Sequence, residues 1–332
     1  YTNAGTHELI EENLNRSAMY SGRIEGIGPR YCPSIEDKVV RFADKDRHQI
    51  FVEPEGRKTL EYYINGLSMS LPEELQTEIV RSLPGLEKAE IMRPAYAVEY
   101  DYAPPTQLYP HLETKRVENL FFAGQINGTT GYEEAGAQGI MAGINAVLKV
   151  RGDEPFVLSR SDAYIGVLID DLVTKGTQEP YRIFTSRAEH RLLLREDNAD
   201  YRLMERAKEF GLIEDAVWKR YADKKRAVDL ELERLAQVRL HPSDGVNELF
   251  AEAGTPPLKE AVPLIDILRR PELNYRHIEQ LCPSESPLSL DATEHVEAEV
   301  KYDGYIKRQN TQVDKLKRLE SVRIPTDFDF AN

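Results

Sequence analysis

The chain has 332 residues, two cysteines and a formal net charge of −14 at pH 7. A chain of this length predicts two domains, with enough material for at least one large hydrophobic core. The negative charge excludes a protein that coats nucleic acid through bulk positive charge, because such binding scales with the phosphates that lysine and arginine neutralise. A local basic patch remains compatible with this composition.

Membrane and metal-binding signals are both missing from the sequence. No apolar run approaches the roughly 20 residues that span a bilayer, and the first residues carry no signal-peptide pattern. Cys32 and Cys282 lie too far apart for a CxxC zinc motif, and the histidines form no HxxxH or HxH pattern. We therefore expect a soluble, cytoplasmic protein without a metal site. Because it begins at Tyr1 and stops just after a long helical pattern, we also expect the chain to be trimmed at both ends.

Short β-rich runs between residues 38 and 66 predict an antiparallel meander. Its predicted strands are residues 39–42, 49–52 and 60–64. Apolar residues at helical spacing then predict a helix over residues 71–83. Residues 89–102 are expected to be extended, and the Pro104–Pro105 pair predicts a crossing between subdomains.

Residues 119–152 form the most informative part of the chain. Residues 119–125 predict a buried strand, which leads into a helix that begins at Gly131 and ends near Gly152. Three glycines share one face of this helix: Gly136, Gly139 and Gly143. Since glycine inside a helix costs about 1 kcal/mol relative to alanine, something must approach that face closely. A dinucleotide or flavin at the helix N-terminus and a tightly packed sheet without ligand are both compatible with the spacing.

Beyond Gly152 glycine becomes rarer and charged helical patterns dominate. Residues 218–240 and 293–319 each predict a long helix. The apolar face of the first of these helices comprises Trp218, Tyr221, Val228, Leu232 and Leu235. The second half of the chain is therefore expected to be mainly α-helical.

Cys32 lies in an irregular loop, because three glycines and two prolines occur within residues 22–38. Arg30 and Lys38 bring positive charge near this cysteine, which favours the thiolate and makes Cys32 a candidate nucleophile. A buried structural thiol is the alternative that composition favours. Cys282 follows an apolar stretch and is interpreted as structural.

A run of arginines lies within residues 180–200. Ser186 is a candidate cap for a helix on which Arg187, Arg191 and Arg195 repeat every four residues and share one face. These arginines either reach the phosphates of a nucleic acid or pair with nearby carboxylates, and the second interpretation is favoured. The candidate carboxylates are Glu189, Glu196, Asp197 and Asp200.

Three of these stretches resemble the GidA family (glucose-inhibited division protein A, also called MnmG), flavoenzymes that modify the wobble uridine of certain tRNAs. They are residues 21–38, 122–135 and 180–200, which extend the likeness over essentially the whole chain. The resemblance implies an α/β flavoprotein with a partial Rossmann-like FAD domain, an inserted NADH-binding domain and a mainly α-helical C-terminal domain. Residues 1–104 would be the C-terminal part of the NADH-binding insert, residues 105–152 the return segment of the FAD domain, and residues 153–332 the helical domain with tRNA and partner contacts. The family's FAD fingerprint loop and an early second cysteine have no counterpart in this chain.

The resemblance also assigns roles to individual residues. Cys32 would be the catalytic thiol, and Gln125 would contact FAD, with the Gly131 helix facing the cofactor. The cofactor-binding residues implied in the FAD segment are Gly124, Gln125, Gly131 and Glu133. Those implied in the NADH region are Gly28, Pro29, Arg30, Tyr31, Pro33, Ser34, Ile35, Glu36, Asp37, Lys38, Val39, Val40, Arg41 and Phe42. Our own candidates for tRNA contact are Arg182, Arg187, Arg191 and Arg195.

The implied reaction adds a carboxymethylaminomethyl group to carbon five of the uridine, using FAD, NADH and a one-carbon unit from methylenetetrahydrofolate. A thiolate that adds at carbon six makes carbon five nucleophilic, so a cysteine near a flavin suits this chemistry. The family likeness further implies a homodimer and a GTPase partner, MnmE. The alternatives are a generic FAD/NADH oxidoreductase, which needs a redox cysteine pair near the flavin, and a non-catalytic docking scaffold.

Overall fold

The computed structural model describes residues 1–24, 33–320 and 322. In chain order its helices and strands are α1 (Ala4–Glu12), α2 (Ile35–Arg41), β1 (Phe51–Pro54), β2 (Tyr62–Asn65), α3 (Glu73–Arg81), α4 (Tyr132–Arg151), α5 (Tyr164–Lys175), α6 (Ala199–Glu209), α7 (Asp215–Gln237), β3 (Arg239–Leu240), α8 (Asp244–Glu252), β4 (Val262–Pro263), α9 (Leu264–Leu268), α10 (Tyr275–Leu281) and α11 (Leu290–Glu320). Short 3-10 turns span Leu14–Arg16, Pro105–Gln107, Gly124–Asn127 and Thr185–Arg187.

The chain forms two compact units. Unit 1 comprises Tyr1–Phe156 and Ile169–Ile183. Unit 2 comprises Val157–Leu168 and the described residues from Phe184 onward. Helix α5 contributes its first turns to unit 2 and its remainder to unit 1.

Unit 1 has its apolar core where α1, α2 and α3 meet. The buried core residues are Ile10, Ile35, Val39, Leu67, Met69, Leu71, Leu75, Ile79, Val80 and Leu83. Helix α3 confirms the helix predicted over residues 71–83. Strands β1 and β2 pair antiparallel, with Phe51 opposite Asn65, so two of the three predicted meander strands are present as a hairpin.

The strand predicted over residues 39–42 is wrong, because these residues belong to α2 and its C-terminal cap. The Ser34 hydroxyl accepts a hydrogen bond from the Asp37 N–H at 3.2 Å, and the Asp37 carboxylate accepts one from the Ser34 N–H at 3.3 Å. This capping box starts a helix. Ile35 and Val39, four residues apart, then enter the core on the same helical face.

The strand predicted over residues 119–125 is also wrong. Phe121 makes one isolated antiparallel bridge to Glu113, and the chain then enters the turn Gly124–Asn127. Strand structure needs a hydrogen-bonded neighbour along its length, and the described residues supply only this single bridge to the segment. Residues 89–102 likewise form no strand. The predicted helix after Gly131 is confirmed as α4, which ends at Arg151 and is capped by Gly152 with a left-handed φ of 75°.

Unit 2 is helical apart from the short β3–β4 pair, which confirms a mainly α-helical second half. Helices α7 and α11 coincide with the two long helices that the sequence predicts. The core residues are Val228, Leu235, Val246, Phe250, Leu258, Leu264, Ile267, Leu268, Leu273, Tyr275, Ile278, Ala292, Val296 and Val300.

Both sheets found in the described part of the chain are two-stranded and antiparallel. The Rossmann-like FAD domain and the NADH-binding insert therefore stay predictions, as does the division at residues 104 and 152. A helix that combines the length and the apolar character needed to cross a membrane does not occur among the described residues.

Candidate functional site

The turn that precedes α4 depends on two glycines with left-handed backbone. Gly124 has a φ of 79° and Gly128 a φ of 83°. A Cβ atom on Gly128 would lie 2.7 Å from Thr177 Cγ2 and 3.2 Å from Tyr102 Cε2. The Gly128 carbonyl accepts a hydrogen bond from the Tyr181 N–H at 2.8 Å. Conformation and space together require glycine at position 128.

Four side chains beside this turn carry buried polar atoms without a hydrogen-bond partner in the described residues. These atoms are Asn127 Nδ2 and Oδ1, Thr130 Oγ1, Glu134 Oε2 and Gln138 Nε2. Folded proteins pair nearly all buried polar atoms, so each such atom requires an explanation, and a bound water, ion or ligand would provide one. We call Asn127, Thr130, Glu134 and Gln138 the polar cluster.

Gln138 links the two sides of the turn. Its Oε1 accepts hydrogen bonds from the Gly124 N–H and, at 3.0 Å, from the Thr129 hydroxyl. Gln138 and Asn127 are both fully buried. The side-chain oxygen of Gln138 is thus hydrogen-bonded within the protein. The amide nitrogen of Gln138 and both polar side-chain atoms of Asn127 can still form hydrogen bonds with a ligand.

Glu134 fixes the first turn of α4 to a later segment of unit 1. Its side chain is 1% exposed, and Oε1 accepts hydrogen bonds from Arg182 Nε at 2.9 Å and from the Ile183 N–H at 3.0 Å. Burial opposes ionisation, but these two donors outweigh it and hold the pKa of Glu134 below its ordinary value. A Cβ atom on Gly131 would overlap Glu134 Oε2.

We expect Gly131→Ala to destabilise unit 1 by about 1–3 kcal/mol, because the new methyl group displaces the Glu134 carboxylate from Arg182. Gly136→Ala is the matched control on the same helix, since a Cβ there meets no atom within 4 Å outside the helix. This control should stabilise the helix by up to about 1 kcal/mol. Hydrogen exchange of the α4 amides measures both effects. Equal protection in the two variants would contradict the prediction.

The glycine face of α4 is open. A Cβ atom at Gly136, Gly139 or Gly143 would meet no described atom within 4 Å outside the helix, so the tightly packed sheet is not found. The buried face lies elsewhere on the helix and comprises Glu134, Gln138, Met141, Ala142, Asn145 and Leu148. Cofactor contact on the glycine face stays a prediction.

The polar cluster was not predicted from the sequence, which pointed instead to neighbouring residues. Gln125 is partly buried, Gly124 is buried and Glu133 is exposed. A signal for the cluster did exist: Glu134 and Gln138 are four residues apart and therefore share a helical face that excludes the three glycines. Polar side chains on the inward face of a helix must either form hydrogen bonds within the protein or bind a ligand.

The described residues of the predicted NADH region lie on or beside α2. The buried ones are Ser34, Ile35, Glu36, Asp37 and Val39. Glu36 accepts a hydrogen bond from the Ser70 N–H at 2.7 Å, and Lys38 donates one to the Gly66 carbonyl at 3.0 Å. Pro33 is partly buried, whereas Val40, Arg41 and Phe42 are exposed. NADH contact by this segment stays a prediction.

The predicted thiol and the residues before it are not among those that the structure describes. Gly28, Pro29, Arg30, Tyr31 and Cys32 all fall in the gap between residues 24 and 33. The catalytic role of Cys32 therefore stays a prediction. In the described ranges, no group of three or more His, Cys, Asp or Glu side chains is arranged to hold a metal ion.

The helix predicted to carry Arg187, Arg191 and Arg195 is wrong. Thr185–Arg187 is a 3-10 turn, and the next helix, α6, begins at Ala199. Side chains bond to the intervening carbonyl groups instead: Arg195 Nη1 donates to Leu192 at 2.9 Å and Asn198 Nδ2 to Leu193 at 3.1 Å. Such side-chain hydrogen bonds compete with helix formation.

The four candidate arginines differ in their surroundings. Arg182 pairs with Glu134, and Arg195 forms ion pairs with Asp197 at 3.0 Å and with Glu299 at 2.9 Å. Arg187 and Arg191 are exposed. Of the other carboxylates proposed as partners, Glu189 pairs with Arg160 and Asp200 with Lys224. Carboxylate pairing is thus confirmed for Arg195, which leaves Arg187 and Arg191 as the more accessible candidates for phosphate contact.

We expect acidification to weaken unit 2 through His295, which stacks on Tyr201 with ring centroids 4.0 Å apart. Burial lowers the pKa of His295 below 6.5, although two nearby carboxylates oppose the shift. The charged groups around it are Asp197, Glu299, Arg195 and Lys224. Because the unfolded chain binds this proton more readily, stability should fall as the pH drops through 6.5.

Urea unfolding at a series of pH values measures this effect of His295. His295→Phe preserves the stacking and should flatten the pH dependence between about pH 7 and pH 5. An unchanged slope in that variant would remove His295 as the cause.

Two family models match separate parts of the chain. Residues 1–154 match the family described as Glucose inhibited division protein A. Residues 215–310 match the family described as tRNA modifying enzyme MnmG/GidA C-terminal helical domain.

Two curated relatives are similar over nearly the whole chain. Both are named tRNA uridine 5-carboxymethylaminomethyl modification enzyme MnmG. The protein of Bacillus cereus (strain ATCC 10987 / NRS 248) is 58% identical over 330 residues, which cover 99% of this chain and 52% of the relative. That of Geobacillus kaustophilus (strain HTA426) is 57% identical with the same coverage.

Two solved structures of Aquifex aeolicus GidA are also similar. The form II crystal has a TM-score of 0.74 and 46% identity, with 100% of this chain and 51% of that chain covered. The form I crystal has a TM-score of 0.74 and 48% identity, with 99% and 52% covered. This chain therefore spans about half the length of the relatives it matches. With both domain matches and this identity along its length, the chain belongs to the GidA/MnmG family.

Proposed function

We propose that this chain is part of a flavoenzyme that adds a carboxymethylaminomethyl group to carbon five of the wobble uridine of tRNA. The names of its relatives support the reaction. The polar cluster is the observation that carries the proposal, because its unpaired buried atoms lie beside the first turn of α4. We infer that FAD binds here.

The chemistry of the polar cluster suits the polar edge of a flavin. The ring system of FAD presents carbonyl acceptors and an N–H donor, and the amide of Asn127 offers one donor group and one acceptor. The Thr130 hydroxyl and the Gln138 amide add further bonding capacity. Gly131 gives α4 no side-chain cap, and Glu133 and Glu134 lie in the first turn, so the first amides of the helix suit a neutral polar group. The residues that would hold FAD are thus Asn127, Thr130 and Gln138, together with Gly124, Gln125, Gly131 and Glu133.

When bound, FAD would supply the redox chemistry of the reaction, with NADH as the reductant. Cys32 would add to carbon six of the uridine, which makes carbon five nucleophilic. Carbon five would then bond to the one-carbon unit of methylenetetrahydrofolate as the bond from that carbon to the tetrahydrofolate nitrogen breaks, and the amine of glycine would complete the carboxymethylaminomethyl group. Loss of the carbon-five proton and departure of the thiolate would then restore the ring. The pyrimidine is thereby activated by one side chain of this chain, and the thiolate is regenerated.

The remaining parts of the proposal follow from family membership. We infer a cytoplasmic homodimer that works with the GTPase MnmE. A generic FAD/NADH oxidoreductase needs a redox cysteine pair near the flavin, and within this sequence the family resemblance places Cys32 alone there. A docking scaffold without catalysis leaves the unpaired atoms of the polar cluster unexplained.

A chimaera tests the proposal, since this chain spans about half of its relatives. The chimaera is the Bacillus cereus relative in which the 330 residues that match this chain are replaced by the sequence of this chain. We expect the purified chimaera to show flavin absorbance bands, and we expect nucleoside mass spectrometry to detect the modified uridine in tRNA incubated with it. The unaltered relative is the positive control. A colourless, inactive chimaera beside a flavin-containing relative would refute the proposal.

We expect the double variant Arg187→Ala/Arg191→Ala of the chimaera to bind tRNA more weakly and with a flatter salt dependence. Both side chains are exposed, and removing one arginine that bonds to a phosphate should reduce the slope of log affinity against log salt by about 1. Gel shifts at several salt concentrations measure the slope. Arg206→Ala is a matched control, because this exposed arginine lies on α6 and pairs with Glu209. A slope equal to that of the unsubstituted chimaera would exclude Arg187 and Arg191 from phosphate binding.

A further inference from the structure

Residues 177–183 hold the turn before α4 at three points within unit 1. The Thr177 methyl group lies against Gly128, where it leaves no room for a Cβ atom. The Tyr181 N–H donates to the Gly128 carbonyl at 2.8 Å. Arg182 and Ile183 both donate to Glu134 Oε1. The segment therefore fixes both the turn and the first turn of α4.

The segment is itself anchored in unit 1. The Tyr181 hydroxyl donates to Asp171 Oδ2 at 2.7 Å, and Tyr181 is 3% exposed. The Thr177 carbonyl accepts a hydrogen bond from the Tyr102 hydroxyl at 2.6 Å. These two hydrogen bonds fix the backbone on which Arg182 lies. A residue that orients another side chain needs such a fixed position.

We infer that Arg182 is a positioning residue for the flavin site, which it shapes by anchoring the Glu134 carboxylate of the polar cluster, and that it does not contact RNA. This inference rests on the proposed function, in which the polar cluster holds FAD. The side chain of Glu134 is 1% exposed and that of Arg182 is 29% exposed, so the pair is largely shielded from solvent. Arg187 and Arg191, which follow along the chain, are exposed and remain the candidates for RNA.

The charge balance explains why the arginine matters. Without Arg182, the Glu134 carboxylate would remain buried, and the Ile183 N–H would be the donor left at Oε1 among the described residues. A buried carboxylate that loses its cation either takes up a proton or turns towards water. Either response moves Glu134 and changes the shape of the site that Asn127 and Gln138 share with it. The geometry therefore predicts an effect of Arg182 on flavin affinity and not on RNA affinity.

The test compares Arg182→Ala, Arg182→Lys and Glu134→Gln in the chimaera, with FAD titrations and tRNA gel shifts on the same preparations. We expect Arg182→Ala to weaken FAD binding by about tenfold or more and to alter the flavin absorption spectrum, while tRNA affinity stays within about twofold. Arg182→Lys should recover part of the FAD affinity. Arg191→Ala should show the opposite pattern, with weaker tRNA binding and an unaltered flavin spectrum.

A double-mutant cycle separates positioning from a general loss of stability. If Arg182 acts through Glu134, the variant Arg182→Ala/Glu134→Gln should bind FAD no more weakly than the worse single variant. Additive losses would overturn the inference. So would an Arg182→Ala chimaera with unchanged FAD affinity and spectrum but weaker tRNA binding. An unsubstituted chimaera that binds no FAD would refute the proposed function, and this inference with it.

Discussion

Glu231→Ala is expected to lower the free energy of unfolding of unit 2 by about 3–5 kcal/mol. Glu231 lies on α7 and is 3% exposed. Its Oε1 accepts hydrogen bonds from the Tyr275 hydroxyl at 2.8 Å and from Arg234 Nη2 at 2.7 Å, and its Oε2 accepts one from Arg234 Nε at 2.8 Å. Alanine would remove the acceptor of two groups, the largely shielded Arg234 guanidinium and the buried Tyr275 hydroxyl.

The environment of Arg234 explains the size of this effect. Hydrogen bonds from the guanidinium to Glu231 raise the pKa of Arg234. Arginine keeps its proton even without such a partner, so loss of a proton does not relieve the charge that alanine would leave unpaired. Its other hydrogen bonds within the described residues go to the Cys282 carbonyl at 3.2 Å and to the Cys282 sulfur at 3.6 Å, so neither acceptor is a carboxylate. Glu231→Gln keeps two polar atoms in place and should cost less than alanine.

The single tryptophan makes the measurement specific to unit 2, because Trp218 lies on α7. Urea unfolding followed by tryptophan fluorescence therefore reports this unit. Glu233→Ala, at an exposed position of the same helix, is the matched control and should change stability by less than about 0.5 kcal/mol. Similar losses in both variants would show that the Glu231 network does not stabilise unit 2 as we infer.

Cys32→Ser in the chimaera should lower the rate of uridine modification by more than about 10³-fold, as removal of a nucleophile does in other enzymes. A serine hydroxyl is a far weaker nucleophile at neutral pH than a cysteine thiolate. FAD affinity and stability should stay unchanged, because serine differs from cysteine by one atom. Modified-nucleoside levels under single-turnover conditions measure the rate.

Cys282→Ser is the matched control for that experiment. Cys282 is partly buried beside the core of unit 2, and its carbonyl and sulfur face Arg234. Its replacement should cost some stability and leave the modification rate within about twofold. Normal activity in the Cys32 variant would remove this cysteine from the mechanism and direct attention to another nucleophile.

The long helices could be predicted because their apolar spacing agrees with their final burial. In α7, Tyr221, Val228 and Leu235 are all buried, as the helical periodicity indicates. The segment 39–42 was mispredicted because the strand preference of Val39 and Val40 is weaker than the capping box that starts at Ser34. Local propensity thus failed where a side-chain contact determined the local structure.

The candidate site was less predictable, because its key contact joins residues distant in sequence. Glu134 and Arg182 are 48 positions apart, and no local pattern pairs them. The arginine repeat predicted a helix that is wrong, although the favoured pairing of Arg195 with Asp197 is confirmed. The second partner of Arg195, Glu299 of α11, is distant in sequence and could not be predicted. Sequence periodicity identified α4 as the important helix, whereas the identity of its inward polar groups required the tertiary structure.

The chain crosses between the two units more than once, which limits where the protein can be divided. The chain passes from one unit to the other after Phe156, Leu168 and Ile183, and the second of these passages lies inside α5. A gene fusion or truncation at any one of these points separates a unit from part of its own sequence. The two halves therefore cannot be exchanged as independent cassettes, and we expect them to be inherited together.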